Sequence, residues 1–287
     1  MVPVPKDNQS NSWLDWSAQQ LSFIIDDPRQ EAKWLLSALL NCTLSELQLN
    51  YSEISTDAAT TFKQWIKRRS AGEPAQYIAG WTEFYARRFN LTKDVLIPRQ
   101  ETERLVDVAI YTFQEWENPR LVDIGTGAGC IAISVAAELP HADVEGQDIS
   151  LTSLAVAEEN AELNKLSNVT FMQSNFLNNY PPQPIYNGLL MNPPYIPKDE
   201  MDSLMIEVRD HEPLQALTDY SDGLTFYRHL AEYAKKWVFP GGWLILEVGL
   251  GDHPQKAADY FRTNNFNQLE LIADFNGDDR VLKVQVQ

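Results

Sequence analysis

The tetrapeptide Asn192-Pro193-Pro194-Tyr195 is the most chemically specific stretch of the chain. Proline has no N–H to give to a ladder, so two in succession end a strand abruptly and leave the backbone little freedom. An amide oxygen, rigid carbonyls and an aromatic ring are then presented at the strand's carboxyl edge. That set suits a flat nitrogen, in an amide or an aromatic amine, whose delocalised lone pair makes it a poor nucleophile. The Asn192 side-chain oxygen can accept one N–H, and a carbonyl of Pro193 or Pro194 the other. With both protons held, the lone pair can be aimed at an electrophilic carbon, while the Tyr195 ring stacks on the planar group. Asn192, Pro193 and Tyr195 are thus the candidate catalytic residues, and Asn192, Pro193, Pro194 and Tyr195 the candidate substrate contacts. Positioning then supplies much of the catalysis, as expected for a direct in-line transfer. No strong base is required, because the nitrogen becomes acidic once alkylated.

A second constellation lies upstream. Asp123-Ile124-Gly125-Thr126-Gly127-Ala128-Gly129 follows a short apolar run and precedes a helical one. A glycine-rich turn there lets the backbone approach a ligand at the carboxyl edge of a sheet. The next apolar run ends in Gln147-Asp148, about 20 residues on, where an acid can accept from ribose hydroxyls. A dinucleotide fingerprint wants its third glycine where this chain has Cys130; here it is Gly129, one residue early. The early glycine is the spacing of methyltransferase loops, which hold no pyrophosphate. The cofactor expected is S-adenosyl-L-methionine, whose sulfonium methyl is the electrophile that the first motif needs.

The elements that would position these groups follow from periodicity. Trp13–Ile25, Ala32–Leu40 after Pro28, and Ala58–Arg69 carry apolar residues at helical spacing. No strand alternation precedes residue 76, so residues 1–75 read as a helical domain. Gly72-Glu73-Pro74 breaks the pattern. Residues 76–100, with β-like runs at Trp81–Phe89 and Val95–Ile97, read as a hairpin linker. Residues 101–287 read as the catalytic domain. Its strands fall at Leu121–Ile124, Val144–Gln147, Val169–Met172, Asn187–Met191 and Trp243–Val248, with helices between them. Ser150 is the expected N-cap of the helix after the second strand. Leu269–Ala273 and Val281–Val286 close the chain with no helix between. Alternation of this kind implies a doubly wound, mostly parallel sheet with an antiparallel hairpin at its edge.

Bulk properties narrow the function. A 287-residue chain, 44% hydrophobic and 22% charged, has the composition of a folded protein of about two domains. Cys42 and Cys130 are too few and too far apart for a disulfide framework or a zinc site. No set of residues reads as a metal site. His141, His211, His229 and His253 read as surface or packing residues, and Trp34 and Trp65 as core. The N-terminus does not read as a signal peptide, and no apolar run could span a bilayer, so a cytoplasmic protein without membrane contact is expected. The formal net charge of −17 repels phosphate backbones and speaks against stable nucleic-acid binding.

The chain resembles the protein-(glutamine-N(5)) methyltransferases that modify class 1 peptide chain release factors. Val95-Leu96-Ile97-Pro98-Arg99-Gln100-Glu101-Thr102-Glu103 is similar to that family's signature linker. Val122–Gly129 is similar to its cofactor loop, and Asn192–Pro197 to its reaction motif. Glu212-Pro213, Asp222-Gly223-Leu224 and Tyr227-Arg228 resemble its downstream segment. The resemblance implies a class I methyltransferase fold with a seven-stranded sheet, preceded by a small helical domain, residues 1–75, that recognises the substrate. It implies that Gly125, Thr126, Gly127, Ala128 and Gly129 line the methionine part of S-adenosyl-L-methionine. Asp148 would bind the ribose, Phe176 would lie near the adenine, and Asn192 would border the cofactor as well. It implies that Asn192 to Tyr195 hold the glutamine of a release factor's Gly-Gly-Gln motif. Gln100, Asn175 and Asn187-Gly188 depart from the family pattern. Adenine-amino methyltransferases of nucleic acid share the reaction motif but lack the linker, and would want a basic face. A non-catalytic cofactor-binding scaffold would be expected to lose Asn192. A nicotinamide oxidoreductase would want the later third glycine.

Overall fold

The computed structural model describes residues 3–287, which form two compact units. The first holds the residues up to Gly80 together with Met205–His211; the second holds Trp81–Leu204 and Glu212–Gln287.

In the first unit the expected apolar stripes become α1 (Ser10–Leu21), α2 (Pro28–Leu40) and α4 (Thr56–Ser70), with α3 (Leu44–Asn50) and α5 (Ala75–Ala79) between and after them. The helical repeat across Trp13–Ile25 overruns the real helix, which begins at Ser10 and stops at Leu21. The two short helices show no period because neither spans enough turns to display one. α3 is set instead by a capping box, in which Thr43 and Glu46 satisfy each other's backbone N–H. Asp27 caps α2 ahead of Pro28, and Ser55 caps α4. Leu21, Leu35, Leu36, Phe62 and Ile66 form the core of this unit, with Trp34 and Trp65 packed against it. Inside the same unit the buried Arg69 guanidinium is held by Glu31 and, at 2.6 Å, by Glu207.

The second unit opens with the hairpin β1 (Trp81–Phe84) and β2 (Arg87–Asn90). Its two-residue turn, Tyr85-Ala86, has positive φ at both positions, 49° and 55°, as a primed hairpin turn requires. Neither residue advertises that conformation. It is held from outside: the Tyr85 N–H donates to Glu103 at 2.8 Å and its hydroxyl to Asp107 at 2.9 Å. Val95–Ile97, a β-like run in sequence, forms no strand. Its buried Val95 and Ile97 pack as irregular backbone, and the Ile97 N–H is directed at Glu212 (3.4 Å) in place of a ladder partner.

The chain then runs through a 3₁₀ turn (Gln100–Thr102) and α6 (Glu103–Phe113) into β3 (Arg120–Ile124), α7 (Cys130–Glu138), β4 (Asp143–Asp148), α8 (Leu151–Leu163), β5 (Val169–Gln173) and β6 (Tyr186–Met191). After α9 (Ile206–Arg209, in the first unit) come α10 (Leu214–Leu217), α11 (Thr225–Tyr233), β7 (Val238–Glu247), α12 (His253–Thr263), β8 (Leu269–Ala273) and β9 (Asp279–Gln285). The sheet order is β5-β4-β3-β6-β7-β9-β8, parallel through β7 and antiparallel at β9 and β8. This is the expected doubly wound seven-stranded sheet with its edge hairpin. β7 begins at Val238, earlier than its apolar stretch, by pairing with Tyr186 across a bulge. Ser150 caps α8 as its sequence position predicted.

Order and register decide where the site must be. The sequence order reverses between β3 and β6, and ligands bind at the carboxyl ends of strands at such a switch point. Across it Ile124 pairs with Gln147, Ile124 with Met191, and Met191 with Leu246. The next residue on each strand is therefore Asp148, Gly125, Asn192 or Glu247. Four groups distant in sequence end up in one row.

Asn160, fully buried on α8, ties the entry hairpin to the loop after β3. Its amide accepts from the Asn90 N–H at 2.7 Å and donates to the carbonyls of Asn90 (3.1 Å) and Ala128 (2.9 Å). Leaving buried polar groups unpartnered costs about 1–3 kcal/mol each. Asn160→Leu is expected to lower the stability of the second unit by roughly 2–4 kcal/mol, read as the shift of its urea unfolding midpoint at unchanged slope.

Candidate active site

The loop after β3 is anchored from beneath. Asp123, completely buried at the end of β3, accepts from the Thr126 hydroxyl at 2.6 Å and from the Ala132 N–H at 3.2 Å. Burial pushes its carboxyl up to about 7 against those two hydrogen bonds, which pull it down. The N–H groups of Gly125 and Thr126 both donate to the Gln147 carbonyl, at 2.8 and 3.0 Å. Gly125, Gly127 and Gly129 all have positive φ, which glycine adopts without steric cost. A Cβ added at Gly125 or Gly127 would meet no protein atom within 4 Å, so these two face open space.

That space is a pocket of about 270 Å³, lined by Gly125, Gly127, Asp148, Phe176, Asn192 and Pro194 among others. The cofactor-loop glycines and the reaction-motif asparagine thus share one cavity. Five of the eight residues read as cofactor contacts line it, and the other three are absent for clear reasons. Gly125, Gly127, Asp148, Phe176 and Asn192 line it; Thr126, Ala128 and Gly129 do not. Thr126 turns its hydroxyl inward to Asp123. Ala128 is buried, and Gly129 is the left-handed N-cap of α7, close against Ile133 and Ala157. Phe176 is a core residue with one edge on the pocket, packed on His229 and Trp237 at 5.1 and 5.0 Å between ring centres.

Asp148 holds the loop in shape. One carboxylate oxygen accepts from the Gly127 N–H and the other from the Ser150 N–H, each at 2.9 Å. Each oxygen keeps a further lone-pair site for a ligand hydroxyl. Sequence reasoning missed several lining residues: Val95, Leu96, Ile149, Gln215 and Phe226. Ile149 stands out only in the structure, as a large apolar side chain 56% exposed directly after Asp148. Gln215 is brought in by a loop that Glu212 secures, holding Arg99 at 2.6 Å.

The reaction motif divides at its prolines. Asn192 and Pro194 face the pocket, whereas Pro193 and Tyr195 are not in its lining. Asn192 donates its Nδ2 to the Thr102 hydroxyl at 3.2 Å, and among the described residues its Oδ1 accepts from none. Tyr195 was expected to lay its ring on the substrate's planar group. In this structure its hydroxyl donates instead to Glu247 at 3.1 Å, and its ring leans on His253, 5.8 Å between centres. Burial, then the Glu247 charge, pushes the Tyr195 phenol well above its usual range. The ring lines a larger cavity of about 730 Å³ with Leu224, Leu250, His253 and Tyr260, which no loop glycine touches. Gly125, Gly127, Asp148 and Asn192 meet in the smaller pocket and are absent from the lining of the larger one.

His253 is a packing residue, as its isolation in sequence suggested. Its Nδ1 accepts the Gly249 N–H at 3.1 Å and its Nε2 donates to the Gly223 carbonyl at 3.1 Å. Burial lowers its basicity, consistent with that neutral tautomer. Cys130 is buried and packs as a small apolar side chain. Among the described residues no cluster of His, Cys, Asp and Glu could hold a metal ion.

Residues 12–80 match the family model described as PrmC N-terminal domain, and residues 105–209 that described as methyltransferase small domain. A release factor glutamine methyltransferase of Geobacter sulfurreducens is 36% identical over 271 residues, covering 94% of each chain. One from Fusobacterium nucleatum is 36% identical over 260 residues, 90% of this chain and 73% of that protein. One from Moorella thermoacetica reaches 39% over 263 residues, 89% and 90%. The chain belongs to the release factor glutamine methyltransferase family. The solved catalytic domain of hMettl16, in complex with MAT2A 3′UTR hairpin 1, is similar at a TM-score of 0.57 with 13% identity, over 88% of this chain and 93% of that one. That likeness shows the class I methyltransferase fold.

Two departures from the family pattern have local explanations. Asn187 accepts the Arg120 N–H at 2.8 Å at the start of β3, and Gly188 leaves room for the Phe113 ring, which would stand 2.3 Å from a Cβ there. Nothing in the structure explains Gln100. Gly223, from the downstream family segment, sits under the Tyr195 carbonyl with φ of 77°; a Cβ would lie 2.2 Å from that oxygen. Gly223→Ala is therefore expected to displace the Tyr195 backbone and cost about 1–3 kcal/mol, measured by urea denaturation.

Proposed function

We propose that this chain methylates the side-chain amide nitrogen of the glutamine in the Gly-Gly-Gln motif of class 1 peptide chain release factors, with S-adenosyl-L-methionine as donor. One observation carries the reading: Asn192, with its Oδ1 unengaged, lines the same pocket as Gly125, Gly127 and Asp148. Membership of the release factor glutamine methyltransferase family supports the substrate class.

The residues present fit that donor. Asp148 has acceptor sites to spare for ribose hydroxyls, Gly125 and Gly127 face open space where a methionine moiety can lie, and Phe176 and Phe226 offer apolar surface for an aromatic base. When bound, S-adenosyl-L-methionine supplies an electrophilic methyl group on a sulfonium. The chain's own part is orientation. Asn192 Oδ1 accepts one N–H of the substrate amide, and a carbonyl of the Pro193-Pro194 segment accepts the other. Held at both protons, the amide is turned so that its nitrogen lone pair faces the donor. Pro193 acts through backbone rigidity, and Tyr195 supports the segment from behind through Glu247. The helical first unit serves to recognise the release factor.

The acidic chain, at −17, favours a protein substrate over a phosphate backbone. No described helix is long and apolar enough to cross a membrane; with a release factor as substrate, the proposal places the reaction in the cytoplasm.

The decisive experiment is mass spectrometry of a release factor incubated with this protein and the methyl donor. A single added methyl on the Gly-Gly-Gln peptide is expected; methylation of an adenine oligonucleotide instead would overturn the assignment. Asn192→Ala is expected to keep cofactor affinity by calorimetry while tritiated-methyl incorporation falls about 100-fold. Asp148→Ala should weaken cofactor binding by about 1–3 kcal/mol, and an unchanged dissociation constant would remove Asp148 from the site.

A further inference from the structure

Asn192 can serve the proposed transfer only if its oxygen, and not its nitrogen, faces the pocket. An amide is nearly symmetric in shape, so something must choose. The chain of hydrogen bonds behind it has a fixed direction. Glu247, the residue after the Met191↔Leu246 pair, is 1% exposed and accepts the Thr102 hydroxyl at Oε2 over 2.6 Å. A carboxylate can only accept. The single Thr102 proton is therefore spent on Glu247, and the Thr102 oxygen can only accept in turn. It accepts Asn192 Nδ2 at 3.2 Å. Flipping Asn192 would set two oxygens against each other with no proton between them. The second oxygen of Glu247 accepts the Tyr195 hydroxyl at 3.1 Å, and its backbone carbonyl accepts the Tyr227 hydroxyl at 2.5 Å.

We propose that Glu247 is a positioning residue that, through Thr102, fixes the Asn192 amide with its oxygen toward the substrate pocket. This rests on the transfer reading given above. It explains a carboxylate at the end of an otherwise apolar strand, and why the linker signature must deliver a hydroxyl at residue 102.

The device works only while Glu247 is ionised. Once protonated it can donate to Thr102, which can then donate to Asn192 and hold the amide the wrong way round. The groups facing it are Thr102 and Glu101 from the 3₁₀ turn, Tyr195 from the reaction motif, Tyr227 from α11 and Arg280 from β9. Burial raises the Glu247 carboxyl to about 7, while Thr102, Tyr195 and Arg280 oppose that rise. The active form is the ionised one, so kcat should be full above about pH 8 and fall as pH drops through 7. Asp123, under the glycine loop, is also raised to about 7, and its own variant separates the two.

The test uses the full chain, a release factor and S-adenosyl-L-methionine. Thr102→Val keeps shape but breaks the relay; kcat is expected to fall at least 10-fold, with KM and cofactor affinity within about 3-fold. Thr102→Ser restores the hydroxyl and should recover most of kcat. Glu247→Gln cannot titrate, so the acid limb of kcat should vanish, while Asp123→Asn should keep it. Thr102→Val turning over at the wild-type rate, or an acid limb that survives Glu247→Gln and disappears in Asp123→Asn, would overturn the proposal. If Thr102→Val proves unstable by thermal melting, the Glu247→Gln pH profile decides alone. Wild-type protein that leaves the glutamine unmethylated would overturn the transfer reading itself, and this inference with it.

Discussion

The site depends on four parallel strands ending level with one another. Because Gln147, Ile124, Met191 and Leu246 are neighbours in register, the next residue of each strand falls in one row, at the switch point of the sheet. A slip of one residue in β6 would move Asn192 out of line with the glycine loop and turn its side chain to the other face. Such a slip is opposed by burial on both faces, since Leu121, Val122, Leu189, Leu190, Leu244 and Ile245 are almost wholly inaccessible. The hydrophobic core therefore does more than stabilise the unit. It sets the alignment on which every functional contact is built.

Around this row the chain is tied by single polar links between distant segments. Asn160 joins the entry hairpin to the loop after β3, Glu212 holds the linker at Arg99, and Thr102 joins the linker to Asn192 and Glu247. Each link satisfies groups that burial would otherwise leave without a partner. Of the linker residues 95–103, Val95 and Leu96 line the pocket, while Arg99 and Thr102 tie the stretch to Glu212, Glu247 and Asn192. The stretch stays irregular, and the Ile97 N–H is directed at the Glu212 carboxylate where a strand would need a ladder.

The reaction motif is rigid for two reasons. Its prolines limit the backbone, and its tyrosine is fixed from behind by Glu247, His253 and the close approach of Gly223. Asn192 and Tyr195 answer to the same carboxylate, so the two ends of the motif are held by one residue from β7. A rigid acceptor in a partly buried site costs no reorganisation when a hydrogen-bond donor arrives, as the role proposed for Asn192 requires.

Local patterns in the sequence determined much of this. Two consecutive prolines end a strand wherever they occur, three glycines at that spacing make a loop open to a ligand, and apolar periodicity separates a helical segment from an α/β one. Those are properties of neighbouring residues, so Asn192, Asp148 and the sheet class were legible. Direction and partnership were not. Which face Thr126 and Tyr195 present, that Val95–Ile97 runs as irregular backbone, and that Tyr85-Ala86 turns with positive φ all depend on groups brought from elsewhere in the chain. Glu247 shows the limit most plainly. In sequence it is one acid near the end of a strand; only the register of β6 with β7 makes it the neighbour of Asn192 and the acceptor on which Thr102 depends.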